Sequence, residues 1–150
     1  MRALAIAAVL AVATAPGAIA ETVSPSEVKF QDGSISQSLT GIAGDPVKGK
    51  DWFVGRKLGN CLACHKNSDA NTESFHGEVG PELDGVAERW SEAELRGIVT
   101  NAKMMFDGTI MPAFYKDSGY TRPRKEFVGK TILSAQQIED IVAYLKTLKE

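Results

Sequence analysis

The feature that most constrains this chain is one hexapeptide, Asn60-Cys61-Leu62-Ala63-Cys64-His65, which contains both cysteines and one of the two histidines. Two thiols three positions apart can reach the two vinyl groups of one porphyrin and form thioethers. The imidazole that follows directly is then held under the iron as an axial ligand. The spacing therefore predicts a c-type haem attached through Cys61 and Cys64, with His65 on its iron.

Two other readings of the cysteine pair are possible. Cys61 and Cys64 could form a disulfide with each other in an oxidising compartment. A thioredoxin-like redox pair would begin a helix after a βαβ pattern, and no strand alternation lies nearby. The imidazole of His65 and the methionines further along the chain favour the haem.

The first twenty residues indicate export. A short basic start at Arg2 precedes an apolar run over residues 3–15, and small residues precede Glu21. This pattern predicts a signal peptide over residues 1–20 and a periplasmic protein; an uncleaved anchor is the alternative. The run is too short for a comfortable membrane span, and no other stretch competes with it.

Length and charge limit the remaining possibilities. With 150 residues the chain has room for one domain. Its net charge is −2, and loss of Arg2 with the leader makes it −3. No basic field is present, so we expect no contact with nucleic acid.

Residues 21–45 and 46–150 differ in pattern. The first segment is rich in Ser, Thr and Gly, has no helical period, and predicts an irregular N-terminal arm laid over a domain or a partner; a mobile tail is the alternative. The second segment carries helical signals. The prediction is an all-α domain of three main helices, with long loops that a haem would give something to pack on.

The first predicted helix starts with Asp45 as its cap and Pro46 at its first position. Residues 47–58 follow, and Gly59 is expected to end the helix before the haem motif. Gly49 and Gly55, inside this helix, would suit a place where another helix crosses closely; the alternative is that one or both mark a frayed helix end.

Capping boxes begin the other two helices, one from Ser91 to Glu94 and one from Ser134 to Gln137. The first of these helices should run to about Asn101. In the last helix an apolar stripe repeats at the helical period, and the charged residues between are expected to face solvent. These are Glu139, Asp140, Lys146 and Lys149.

The candidate haem needs two further groups from the protein. An axial histidine needs a hydrogen-bond acceptor at its outer nitrogen, and the carbonyl of Pro81 is a candidate, with an ordinary turn proline as the alternative. For the second axial position the candidate is Met111, in a loop with Gly108 before it and Pro112 after it. Met104, Met105, His76 or an open position are the other possibilities.

Nothing else in the sequence points to catalysis by this chain. Once His65 is committed, no Ser/His/Asp set remains, and no spare thiol is left as a nucleophile. A thioether ligand would close the iron to small molecules and raise its reduction potential. Electron transfer is therefore the expected role.

The chain resembles the class I cytochromes c over residues 46–150. The resemblance implies thioethers from Cys61 and Cys64, axial ligands from His65 and Met111, and an acceptor role for Pro81. Gly49 and Phe53 lie about one helical turn further back than the family pattern has them, which puts the register of the first helix in doubt. The matching stretches are Cys61-Leu62-Ala63-Cys64-His65, Gly80-Pro81-Glu82-Leu83-Asp84-Gly85-Val86, Met111-Pro112-Ala113-Phe114 and Ile141-Val142-Ala143-Tyr144-Leu145.

A narrower resemblance, to the SoxX family of monohaem cytochromes, covers almost the whole chain after residue 20. It is carried by residues 57–65, 90–99 and 104–115. It implies one haem c, a SoxA-type partner subunit in a heterodimer, and a periplasmic complex that joins thiosulfate oxidatively to a cysteine of a carrier protein (L-cysteine S-thiosulfotransferase). This chain would be the non-catalytic subunit that passes electrons to a small acceptor such as cytochrome c. The arm would then wrap the partner.

Three rival functions remain at this point. The first is a free, diffusible periplasmic electron carrier. The second is a ligand-binding or catalytic haem with an open iron position. The third is a disulfide protein without haem.

Overall fold

The structure is a computed structural model that describes residues 21–150. The predicted signal peptide at residues 1–20 lies outside the described residues. Four α-helices occur in the described part: α1 (Pro46–Val54), α2 (Val86–Arg89), α3 (Glu92–Asn101) and α4 (Ala135–Leu145). Short 3-10 turns lie at Cys61–Ala63, Ser68–Ala70, Ala102–Met104 and Lys125–Phe127. Over the same residues the only β pairing is an isolated bridge between Gln31 and Ser34. The all-α prediction is therefore confirmed.

Helix α1 begins where the sequence predicts and ends earlier. The carboxylate of Asp45 accepts hydrogen bonds from the backbone N–H groups of Val47 and Lys48, at 2.9 and 3.3 Å. The expected continuation to Leu58 is wrong, because Gly55 adopts an extended conformation and the helix stops at Val54. Gly59 has a different function from the predicted one: a Cβ there would lie 2.5 Å from the carbonyl oxygen of Trp52. It lets the chain return against α1.

The packing of α1 on α4 resolves the doubt about register. A Cβ on Gly49 would lie 1.9 Å from the carbonyl oxygen of Asp140, so this glycine is the point where the two helices touch. One turn later, the rings of Phe53 and Tyr144 meet edge to face at 5.3 Å. The predicted close crossing is confirmed at Gly49 and is wrong for Gly55, which lies at the end of α1 instead.

The two capping boxes are present as predicted, with Ser91 and Glu94 opening α3 and Ser134 and Gln137 opening α4. Helix α3 ends at Asn101, also as expected. The apolar faces of both helices meet in one core with α1. Its most buried members include Phe53, Leu95, Ile138, Ile141 and Val142.

The arm, residues 21–45, is irregular and packs on its own domain. Ile35 and Leu39 are buried, at 2% and 1% exposure, and belong to the same core as the helices. The backbone of Ile35 donates to the carbonyl of Ala93 at 2.9 Å. A Cβ on Gly97 would lie 1.9 Å from the carbonyl oxygen of Gly33, so the arm crosses α3 at van der Waals contact.

The path of the arm explains a wrong prediction on α4. Glu139 and Asp140 were expected to face solvent, yet both are 4% exposed. The arm covers Glu139, whose carboxylate accepts from the backbone N–H of Leu39 at 2.7 Å and from Arg96 Nε at 3.0 Å. Arg96 also donates to the carbonyl of Ile35 at 3.0 Å. Burial alone would lower the pKa of Arg96, but the neighbouring carboxylates of Glu139 and Glu92 raise it above its usual value.

Candidate functional site

The hexapeptide forms a tight turn directly after α1. Asn60 takes a left-handed conformation with φ 49°, and Cys61–Ala63 then form a 3-10 turn. The backbone N–H groups of Cys64 and His65 both point back to the carbonyl of Cys61, at 3.1 and 2.9 Å. Both cysteines are half-buried free thiols.

The environment of Cys61 differs from that of a redox-active or nucleophilic thiol. Burial raises the pKa of Cys61 to about 12, with no basic side chain to lower it. A reactive cysteine pair instead has a lowered pKa, beside a cation or at the N-terminus of a helix. The thioredoxin-like alternative therefore has no support in the surroundings of this pair.

His65 is held in one orientation by the segment that follows it. Its Nδ1 donates to the carbonyl oxygen of Pro81 at 2.7 Å. Because a carbonyl can only accept, Nδ1 carries a proton, and in the neutral ring Nε2 is then the nitrogen with the free lone pair. A metal ion binds neutral imidazole through such an unprotonated nitrogen.

Two glycines that the sequence reasoning did not single out also help to fix the position of the His65 ring. A Cβ on Gly80 would lie 2.4 Å from Cε1 of His65, so the backbone of Gly80 lies against the ring. A Cβ on Gly77 would lie 2.0 Å from the carbonyl oxygen of Ala63. The N–H groups of Gly77 and Gly80 also donate to Leu62 and Cys64, each at 2.7 Å. The position of Gly80 directly before Pro81 was the signal available in the sequence.

A buried polar network supports the loop after His65. Asn67 is fully buried, and its Nδ2 donates to the hydroxyl of Tyr144 at 2.8 Å. That hydroxyl donates to Asp69 at 2.8 Å, and Lys50 pairs with the same carboxylate at 2.9 Å. Burial, and then the carboxylate of Asp69, raise the pKa of Tyr144. The network joins α1, α4 and this loop; only tertiary contact reveals it.

Met111 lies half-buried against the core. Its backbone N–H donates to the hydroxyl of Thr109 at 3.2 Å, and its carbonyl accepts from Lys103 Nζ at 2.7 Å. Gly108, with φ 72°, makes the turn before it. The residues between Gly108 and Pro112 therefore form an irregular loop with a thioether on its inner side.

The other candidate ligands are placed differently. Met104 is 51% exposed. Met105 packs against Gly33 of the arm, whose added Cβ would lie 2.6 Å from Met105 Cβ. His76 has both ring nitrogens engaged, since Nδ1 accepts from the backbone of Asn67 at 3.2 Å and Nε2 lies 3.1 Å from the carbonyl of Ala70. His76 fixes its own loop and has no lone pair left for a metal.

The sequence model of the cytochrome c family matches residues 47–149. The chain belongs to the cytochrome c family. Membership of this family implies a covalently bound haem c, and the free Nε2 of His65 and the two free thiols fit that group.

A solved structure shows which branch of the cytochrome c family the chain resembles. The chain is similar to one in the crystal structure of SoxXA from P. pantotrophus, with 49% identity and a TM-score of 0.81 over 86% of this chain and 99% of that one. It is therefore a SoxX-type cytochrome with the class I cytochrome c fold. The c-type cytochrome SorU from Sinorhizobium meliloti is 26% identical over 69% of this chain and 90% of that one, with a TM-score of 0.46. No curated protein matches the chain in sequence.

No helix within residues 21–150 is both long and apolar enough to cross a membrane.

Proposed function

We propose that this chain carries one haem c and serves as the electron-transfer subunit of a heterodimeric thiosulfate-oxidising complex. The observation that supports this most directly is the 2.7 Å hydrogen bond from His65 Nδ1 to Pro81, because it leaves Nε2 free for iron. Cys61 and Cys64 would supply the two thioethers, and His65 and Met111 the two axial ligands. When bound, the haem supplies a one-electron Fe(III)/Fe(II) couple.

The residues of this chain would set the properties of that couple. The carbonyl of Pro81 would make His65 a better electron-pair donor to the iron by accepting a hydrogen bond from its Nδ1–H. The thioether of Met111 favours the reduced iron and raises the potential relative to a second histidine. It also closes the iron to small ligands. Both effects suit electron transfer and disfavour reaction at this iron.

The proposed partner follows from the relative in the SoxXA structure, which is 49% identical. Such a complex would join thiosulfate to a cysteine thiol of a carrier protein. One sulfur–sulfur bond forms, the thiol loses its proton, and two electrons leave one at a time. This chain would take no part in forming the bond. It would pass the electrons to a small acceptor such as another cytochrome c.

The domain division that we propose for this role is a signal peptide over residues 1–20, an arm over residues 21–45 and a haem domain over residues 46–150. Export would place the protein in the periplasm, where thiosulfate and a small cytochrome acceptor would meet it. N-terminal sequencing of the mature protein should begin at Glu21.

Haem attachment and the ligand assignment can be tested on the purified protein. A pyridine haemochrome spectrum should give one c-type haem per chain; its absence would end the proposal. The Met111→Ala variant should lose the weak sulfur-to-iron charge-transfer band of the oxidised protein. Met104→Ala is the matched control, because Met104 is exposed, and it should keep that band.

Assembly is tested by purification from native periplasm of cells grown on thiosulfate. We expect a second haem-containing subunit to co-purify in a one-to-one ratio. The complex should reduce a small cytochrome c when thiosulfate and the carrier protein are both present. Isolation as a monomer that still exchanges electrons with cytochrome c would favour the free carrier instead.

A further inference from the structure

The loop that carries Met111 has almost no main-chain support. No backbone–backbone hydrogen bond joins residues 110–113 to the rest of residues 21–150. Pro112 has no N–H to donate. The turn before this stretch is made by Gly108, and nothing within 4 Å packs on the face where its Cβ would be. Ile110, beside Met111, is 79% exposed. Something other than a main-chain ladder must hold the loop in place.

Lys103 supplies that support from the end of α3. Its Nζ donates to the carbonyl of Thr109 at 3.0 Å and to the carbonyl of Met111 at 2.7 Å. An ammonium group has three donors and can hold two carbonyls at once. Hydrogen bonds from a charged donor are shorter and stronger than those between neutral groups. One side chain thus holds the backbone just before Ile110 and at Met111 itself.

The base of Lys103 is itself fixed. It lies in the 3-10 turn Ala102–Met104 that continues α3, and Asn101 caps that turn by accepting from the N–H of Lys103 at 3.3 Å. Ala102 has no exposed surface. The side chain of Lys103 therefore connects a fixed helix end to a loop whose residues 110–113 have no backbone–backbone hydrogen bonds to the rest of residues 21–150.

We propose that Lys103 is a positioning residue for the Met111 ligand, holding the loop in the position from which its thioether binds the haem iron. This inference rests on the proposed function, in which Met111 is that ligand. Lys103 acts through Met111 and touches neither haem nor substrate. Without its two hydrogen bonds the loop swings out more often, and the iron position opens more often.

The rate at which imidazole binds to the oxidised, haem-loaded full chain measures that opening, because an outside ligand enters only when the sulfur leaves. We expect Lys103→Met to raise this rate about tenfold, with the melting temperature nearly unchanged. This rise in rate is smaller than the loss of two buried charged hydrogen bonds would give, because Lys103 is exposed to solvent. Lys103→Arg, which keeps the charge and the donors, should restore most of the wild-type rate.

Lys130→Met is the matched control. Lys130 is also exposed, and its side chain makes no hydrogen bond or ion pair with any other part of residues 21–150. The same loss of one charge there should leave the imidazole rate unchanged. An equal rise in both variants would show an effect of net charge and overturn the proposal. So would a wild-type rate in Lys103→Met.

The Met111→Ala variant separates this inference from the proposed function. If that variant keeps the charge-transfer band, Met111 is not the iron ligand, and this assignment in the proposed function is refuted. If Met111→Ala loses the band while Lys103→Met binds imidazole at the wild-type rate, only the role of Lys103 is refuted. Should Lys103→Met fail to mature, Lys103→Gln gives the same measurement with a shorter polar side chain.

Discussion

The two segments that carry the candidate iron ligands differ in the groups that contact the backbone and ring next to the ligand itself. On the His65 side, main-chain groups make the contacts: Gly77 and Gly80 donate to the hexapeptide, and the carbonyl of Pro81 accepts from the ring. On the Met111 side, side chains hold the backbone, through Lys103 and Tyr120. A main-chain hydrogen bond does not depend on which side chain its residue carries, provided that the backbone conformation is kept. The contacts of Lys103 and Tyr120 are lost when these two residues are replaced, so the backbone around Met111 depends more directly on side-chain identity.

The largest expected effect comes from removing the arm, which contacts the methionine side. Tyr115 donates to the carbonyl of Val23 at 2.8 Å, and Gly33 packs against Met105. Deleting residues 21–44 exposes the core around Ile35 and Leu39, at a cost of about 5 kcal/mol in free energy of unfolding. Chemical denaturation of the haem-loaded protein measures it.

Deleting only residues 21–22, before Val23, is the control and should leave stability unchanged. A full deletion that weakens binding of the partner subunit without lowering stability would contradict this expectation. It would instead assign the arm to the partner.

The next largest effect is expected on the histidine side. In Gly80→Ala the new methyl group would lie 2.4 Å from the His65 ring, which must then turn away from Pro81. We expect a loss of about 3 kcal/mol in stability and a clear fall in haem content, measured by pyridine haemochrome yield.

Gly108→Ala is the same substitution on the methionine side. Nothing lies within 4 Å of its added Cβ, so the cost is only that of a left-handed alanine, about 1 kcal/mol. Equal losses in the two variants would show that the contrast between the two segments is absent.

Two tyrosines allow a matched comparison of smaller size. Tyr144→Phe leaves the buried amide of Asn67 with one partner fewer and should cost about 2 kcal/mol in stability. Tyr120→Phe removes the 3.0 Å hydrogen bond to the carbonyl of Ala113 and should cost about 1 kcal/mol.

The two variants should differ in a second readout, the rate of imidazole binding to the oxidised protein. Tyr120→Phe should raise it several-fold, because the methionine loop loses a support, and Tyr144→Phe should not. The reverse pattern would mean that opening of the iron position depends on the histidine side.

The smallest effect concerns Asp69, behind His65. Hydrogen bonds from Lys50 and then Tyr144 hold the pKa of this carboxyl below its usual range. Its stabilisation is therefore fully present above the unfolded pKa of about 3.9 and is lost as the pH falls through the lower folded value.

Because Asp69 is half exposed, its contribution at neutral pH should be below about 1 kcal/mol. Asp69→Asn should remove that part of the acid dependence below about pH 4. Asp107→Asn, at an exposed carboxylate on the methionine side, should not change it. Identical acid profiles for Asp69→Asn and the wild type would contradict the expectation.

The parts of the fold that sequence reasoning predicted correctly are those set by neighbouring residues. The Asp45 cap and the capping boxes at Ser91 and Ser134 each involve side chains within three positions of their partners. The glycine at the helix crossing was also predictable, since Gly49 is costly in a helix unless something packs there.

The parts that sequence reasoning missed depend on residues far apart in the chain. Glu139 was placed in solvent because its pattern on α4 is that of an outer face, and only the arm, 100 positions earlier, buries it. The end of α1 at Val54 is a local exception, since it lies where Gly55 becomes extended. For the site, the spacing of Cys61, Cys64 and His65 was enough to predict haem attachment. Nothing in the sequence distinguishes Lys103 from the other lysines.

The contact of α1 with α4 also bears on the order of folding. The backbone N–H of Asp45 bonds to a carboxylate 95 positions later, so the two ends of the domain close on each other only after nearly all of it has been synthesised. Contacts over such separations form late, because the intervening chain must lose its freedom first. Until then Cys61 and Cys64 stay accessible in an open chain. The fold thus leaves both thiols accessible for the proposed haem attachment until the two ends of the domain close.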